Sequence, residues 1–189
     1  MAVSNPLRVA LSAWKRAPLG ESRLGGFTVV NDGKLLLLAR EYPVSNAHPT
    51  VQVFAFPKPG RVAAVVKAST DLKRDLCHPV VTAPGSVGSL HLIDSEGDAF
   101  LTYIQSHYRT GGLPRKVATE LNGWRVRALR KAVEIARARG QKLVVSSGHH
   151  IPNRFFDDDS QFLCDLRRAC SQAGAKLERL EGKRGFKAA

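Results

Sequence analysis

The run Tyr103-Ile104-Gln105-Ser106-His107-Tyr108-Arg109-Thr110-Gly111-Gly112 changes character as it proceeds. A largely apolar strand ends in the polar trio Gln105, Ser106 and His107, and an arginine and two glycines follow. Backbone amides freed by such glycines can cradle a phosphate, and the N-terminus of a following helix would add its positive end. Arg109, Arg115 and Lys116 bring charge to the same place. His107 is a candidate acid or base because an imidazole exchanges its proton near neutral pH, and Gln105 shares its end of the strand. A plain connecting loop would have the same composition, so the glycine pair alone does not choose between the two.

A second cluster is Ser146-Ser147-Gly148-His149-His150, followed by Asn153, Arg154 and Asp157 to Asp159. It lies just past the C-terminal end of an apolar strand, where α/β proteins often hold ligands. His149 is thus a second candidate for proton transfer or phosphate contact. Neighbouring histidines point to opposite sides of an extended chain, and the aspartates are suited to capping the next helix. No metal is expected. Cys77, Cys164 and Cys170 are odd in number and lack CxxC spacing, which fits reduced thiols better than a disulfide framework or zinc ribbon. There is no nucleophile motif, Walker loop or dinucleotide fingerprint.

Residues 124–139 have the spacing of an amphipathic helix. At about 100° per residue, Leu121, Trp124, Ala128, Leu129, Ala132, Val133, Ile135 and Ala136 share one face. Arg127, Arg130, Lys131, Glu134 and Arg137 share the other, either as a solvated surface or as a track for a phosphate backbone. Arg125 projects from the apolar face, so it must meet a carboxylate, a carbonyl or a ligand anion. From Arg109 to Lys142 ten basic residues stand against two acids, which is +8 of the whole chain's +13. Such an excess draws polyanions, whether nucleic acid or phosphorylated small molecules.

The elements that must position these residues follow from periodicity and turn chemistry. Asn5 and Pro6 open a short helix over 5–16, and 20–26 reads as a loop. Strands at 27–30 and 34–41 flank the turn Asn31-Asp32-Gly33. A second hairpin is expected from 51–56 and 61–68 across Pro57-Lys58-Pro59-Gly60, followed by a helical turn at 70–77. A third pairs 89–94 with 99–107. Helices at 114–121 and 124–139, a strand at 142–147, a helix at 160–173 and a strand at 176–181 complete the order. Residues 182–189 read as a frayed basic tail. The expectation is one domain of 189 residues, with a β-rich half over 21–108 and an α/β half over 109–181. Its class is α+β, a mostly antiparallel sheet of N-terminal hairpins followed by helix, strand, helix, strand, with room for one parallel crossover. A hydrophobic fraction of 43% and mean hydropathy of -0.17 argue against disorder. The longest apolar run, Leu35 to Ala39, is too short to cross a bilayer. Residues 1–20 are basic and acid-free, as in a transit peptide, but thinly apolar. No membrane partner and a cytoplasmic location are expected.

From Ser89 to Glu181 the order of hairpin, helix, strand, helix and strand resembles the core of the GNAT acyltransferase superfamily. In that family a strand enters a Gln/Arg-x-x-Gly-x-Gly/Ala loop that binds the pyrophosphate of acyl-CoA, adjacent strands splay around the cofactor, and a long helix follows. Arg109 to Gly112 sits in the corresponding place, with different glycine spacing and a turn or two of extra helix before Trp124. The resemblance implies Arg109, Gly111 and Gly112 at the pyrophosphate, with Arg115 and Arg125 as further anion contacts. His107, His149 or Gln105 would serve an N-acyltransferase step. The run Tyr103-Ile104-Gln105-Ser106 with the Trp124-led helix is also similar to uncharacterised phage and mobile-element domains carrying Ile-Gln-Ser-Asp, His107 replacing the acid. That likeness implies an alternative: a non-catalytic nucleic-acid-binding module using Arg127, Arg130, Lys131 and Arg137.

Overall fold

The computed structural model describes residues 5–42, 50–73, 83–108, 110–146, 157, 160–180 and 185–189. Helix α1 (Pro6–Arg16) starts where the local signals place it. The Asn5 side chain accepts the Leu7 amide at 2.9 Å, and Pro6 occupies the first helical position, where no amide hydrogen is needed. Strands β1 (Gly20–Leu24), β2 (Phe27–Asn31), β3 (Leu35–Glu41) and β4 (Val51–Pro57) follow. The turn between β2 and β3 is held by Asp32, whose carboxylate accepts the Lys34 and Leu35 amides at 2.8 and 2.7 Å. Next come α2 (Pro59–Lys73), β5 (Gly88–Ser95) and β6 (Asp98–Ser106), then a single 3₁₀ turn at Thr110–Gly112. Helices α3 (Arg115–Leu121) and α4 (Trp124–Ala138) lead to β7 (Leu143–Ser146), α5 (Gln161–Gln172), β8 (Leu177–Arg179) and β9 (Gly185–Ala188). The class is α+β. Among the described residues the sheet has nine strands in the order β1-β2-β3-β4-β5-β6-β7-β9-β8, and β6 with β7 is a parallel neighbour pair.

Three sequence expectations are corrected. Residues 20–24 form an edge strand paired with β2 from Gly20↔Asn31 to Leu24↔Phe27, where a loop was expected. Residues 61–68 belong to helix α2, not to a second hairpin strand. The Val-rich run suggested a strand, but Pro59 sits in the first turn and Val65 and Ala68 bury one helical face. The tail expected to fray over 182–189 contains β9, which lies between β7 and β8 with Phe186 and Ala188 buried. The expected helical turn at 70–77 is partly the end of α2, and residues 74–77 lie outside the described residues.

Contacts cluster into two compact units. The first holds residues 1–40, 53–89 and 105–124. Its core sets Val9, Ala10 and Ala13 of α1 against Phe27 and Val29, Leu36 and Leu38, and Phe54 and Phe56, the alternate positions of three strands. Trp14 is oriented by donating its indole N–H to the Pro57 carbonyl at 2.9 Å. The second unit holds 41–52, 90–104 and 125–189. There Leu129, Ala132, Val133 and Ala136 of α4 and Phe162, Leu163, Leu166 and Ala169 of α5 are buried, as are Leu143 to Val145 of β7. Arg139 joins Glu41 at 2.6 Å and Asp94 at 3.0 Å, tying the end of α4 to the acids of two strands.

Candidate ligand site after the sixth strand

The polar trio ending β6 is where sequence reasoning located it, but its histidine is enclosed. His107 is only 4% exposed, and Ser86 and Ser89 beside it are fully buried. Its Nδ1 lies 2.7 Å from the Ser86 hydroxyl and its Nε2 3.0 Å from that of Ser89. The Ser86 hydroxyl donates to the Ala83 carbonyl at 2.7 Å, so its oxygen is left to accept and Nδ1 carries the ring hydrogen. Nε2 then accepts from Ser89. The His107 amide also donates to the Val87 carbonyl at 2.9 Å. This buried chain satisfies each polar group it contains, the condition under which such groups are tolerated in a core. The expected proton acceptor is therefore a clasp holding residues 83–89 to the end of β6. Taking a proton on Nε2 would cost the hydrogen bond from Ser89.

Gly88 lets the same region close. A Cβ there would lie 2.5 Å from two ring carbons of Trp124 and 2.7 Å from the Gln105 carbonyl oxygen. Gln105 and Ser106 are half-buried, and beyond them Gly111 and Gly112 are exposed. Among the described residues, a Cβ on Gly111 would meet nothing within 4 Å. Leu113, 7% exposed, anchors the turn to the core before α3, and Arg115 is exposed. Arg61 grips Glu120 of α3 with a bidentate pair at 2.8 and 2.9 Å. That contact holds the Glu120 carboxyl below the usual range and raises the Arg61 guanidinium. Arg109 and His149, both expected at the site, lie outside the described residues.

The remaining candidates divide by their partners. Arg125 meets Asp165 of α5 at 3.2 Å, so the carboxylate alternative is realised. The basic face of α4 is not the uniform solvated stripe its sequence suggests. Lys131 is only 7% exposed and approaches Glu134 at 3.8 Å, while Arg130 meets the same acid at 3.3 Å. Arg137 donates to the Ala173 carbonyl at 2.6 Å, near the end of α5. Arg127 is half-buried. Glu134 thus serves as the i,i+4 partner of Arg130 and the i,i+3 partner of Lys131.

Sequence reasoning missed His91. It stacks on Tyr103 across β5 and β6, with ring centroids 4.8 Å apart, and its Nε2 is buried without a hydrogen-bond partner. Burial pushes its pKa down to about 4, so the ring is neutral at physiological pH. The signal was available only as a histidine inside an otherwise apolar strand. Among the described residues no three His, Cys, Asp or Glu side chains are grouped to hold a metal ion, and no helix is long and apolar enough to cross a membrane. No family model, curated protein or solved structure matches this chain.

In the second unit, β6 and β7 pair in parallel at Ala99↔Leu143 and Phe100↔Val144. The register stops there, although β6 continues to Ser106 and β7 to Ser146. On its other side β7 stays paired with β9 through Val145↔Phe186 and Ser146↔Gly185.

Proposed function

We propose that the chain binds an anionic phosphorylated ligand at the loop following β6, that the ligand is an acyl-CoA, and that the reaction served is N-acyl transfer. One observation carries the reading: Gly111 and Gly112 are exposed in the turn that follows β6, where backbone amides can meet an anion. Two others support it. The order of hairpin, helix, strand, helix and strand runs from β5 to β8, and among the described residues nothing lies within 4 Å of a Cβ placed on Gly111.

In the transfer, the nitrogen of a neutral amine attacks the thioester carbonyl carbon, the C–S bond breaks, and the thiolate of CoA leaves. The amine proton passes to a base. Positioning supplies much of the rate, and no covalent enzyme intermediate is needed. In this reading Gly111 and Gly112 offer amides to the pyrophosphate, with Arg109 and Arg115 as its cations. His149 is the sequence candidate for the base, and His107 positions the strand end.

Calorimetric titration with acetyl-CoA, CoA and a short oligonucleotide tests the reading. Wild type should bind the CoA species. Gly111→Val should abolish that binding while the fold persists, since a Cβ at this position meets nothing within 4 Å among the described residues. Arg109→Ala should weaken it by roughly 1.5–3 kcal/mol, the worth of a charge-assisted hydrogen bond. CoA failing to bind at about millimolar concentration, where even a weak site would register, ends the acyltransferase reading. The alternative, a nucleic-acid-binding module of mobile-element type, draws on the +13 net charge. It predicts oligonucleotide binding whose salt slope flattens when Arg127, Arg130 and Arg137 are changed to Gln. The in-chain partners of Arg130 and Arg137 favour the first reading.

A further inference from the structure

Within the first unit, two contacts set α1 and α2 side by side in opposite directions. Near the end of α1, the Trp14 indole donates to the Pro57 carbonyl just before α2, at 2.9 Å. Further along, Leu7 of α1 and Val62 and Val66 of α2 close around Gly85, where a Cβ would lie 3.4, 3.0 and 3.6 Å from them. The last turn of α1 therefore stands beside the first turn of α2. Arg61 in that turn joins α2 to Glu120 of α3 at 2.8 and 2.9 Å. Three helices thus bring Lys15 and Arg16, Lys58 and Arg61, and Arg115 and Lys116 to one region. Over residues 13–17, 57–61 and 114–122, those six bases stand against one acid, Glu120.

Glu120 is already satisfied inside the chain. Its hydrogen bonds from Arg61, and then the fields of Arg61, Lys116 and Lys58, hold its carboxyl below the usual range. The side chains of Lys15, Arg16, Lys58 and Lys116 are exposed and make no hydrogen bond or ion pair among the described residues. Lys58 and Arg61 gain nothing from α2 itself, because they stand at the end its dipole makes positive and its first turn holds no acid. We infer that this basic surface binds nucleic acid through its phosphate backbone, without reading sequence. Separate cations on three helices suit a ligand that repeats its charge along a chain. A bilayer is a poorer match. The large apolar side chains exposed among the described residues, Leu11, Leu19, Val66 and Ile93, all lie outside these three segments. The surface is distinct from the α4 face, where Arg130 and Arg137 already have partners in the chain. It does not depend on the loop after β6 binding a CoA species.

Fluorescence polarisation of an end-labelled DNA duplex of about 20 base pairs, between about 0.05 and 0.2 M salt, reads the result. Wild type should bind, with an affinity that falls as salt rises. Changing Lys15, Lys58 and Lys116 together to Gln should reduce the steepness of log affinity against log salt by about 2–3, and each single change by about 0.9. Arg115 stays unchanged because it is assigned above to the ligand loop. Changing Arg127, Arg130 and Arg137 to Gln removes the same charge from α4 and should leave the slope within about 0.5 of wild type. Circular dichroism checks that each variant is folded. A duplex that fails to bind would overturn the proposal. So would a loss in the α4 variant as large as that in the lysine variant, because net charge alone would then account for binding. Sedimentation with vesicles of phosphatidylcholine and phosphatidylserine supplies the last arm: vesicles captured through the same lysines, with the duplex left unbound, would assign the surface to a membrane and overturn it as well.

Discussion

Replacing His91 by Phe should flatten the acid side of the stability profile. The phenyl ring keeps the cross-strand stack on Tyr103 but removes the imidazole whose Nε2 is buried without a partner. In the folded chain burial lowers this pKa to about 4, against an ordinary value of 6.5. Above pH 6.5 the ring is neutral folded or unfolded, so it carries no pH-dependent cost. As pH falls below that value the unfolded chain takes up the proton first, and stability declines until the folded ring protonates near pH 4. The interval of about 2.5 pH units corresponds to roughly 3 kcal/mol, or about 2–3 kcal/mol by pH 4.5. Urea unfolding of both proteins at pH 7 and pH 4.5 measures it, because the carboxylates common to both cancel in the double difference. Wild type should lose about 2–3 kcal/mol more than His91→Phe between the two conditions. A double difference under about 0.5 kcal/mol would show that the imidazole is hydrated in the folded protein, and the reasoning would fail.

Gly88→Ala should destabilise the first unit by about 1–3 kcal/mol or more, since the new methyl meets the Trp124 ring at 2.5 Å and the Gln105 carbonyl at 2.7 Å. Urea unfolding and the near-ultraviolet signal of Trp124 report it, and Trp124→Leu in the same chain should recover part of the loss. Arg139→Met should cost about 1–3 kcal/mol by urea unfolding, chiefly because Asp94 is mostly enclosed and loses its cation. Adding Asp94→Asn should cost little more, and additive losses would deny the coupling. In a Cys77→Ser background, exposed Cys164 should react with a thiol reagent in the native state. Cys170, buried with its pKa pushed up to about 11, should react only after unfolding, so equal native rates would contradict the burial.

What the sequence by itself determined are the features whose cause is local. Asn5 with Pro6 opens α1, Asp32 with Gly33 turns β2 into β3, Ser160 caps α5, and Gly140 follows α4. Each depends on a side chain or backbone bonding within a few residues of itself. The hairpin of β5 and β6 was legible for the same reason, as were the polar trio and glycine turn of the candidate site. The tertiary structure decided whatever needs a distant partner. The exposed segment Gly20–Leu24 becomes a strand because β2 offers it hydrogen bonds, and Gly185–Ala188 becomes one because β7 and β8 accept it between them. Val62 to Val66 suit a strand or a buried helix equally in composition, and only the buried positions Val65 and Ala68 show which was chosen. The site divides the same way. Residue types identified His107 as a group able to move a proton, but Ser86 and Ser89 lie 21 and 18 residues away in the chain. Their hydroxyls make it a buried clasp. A side chain's chemistry is written in its own residue, while its exposure and its partners are set by segments that meet only when the chain folds.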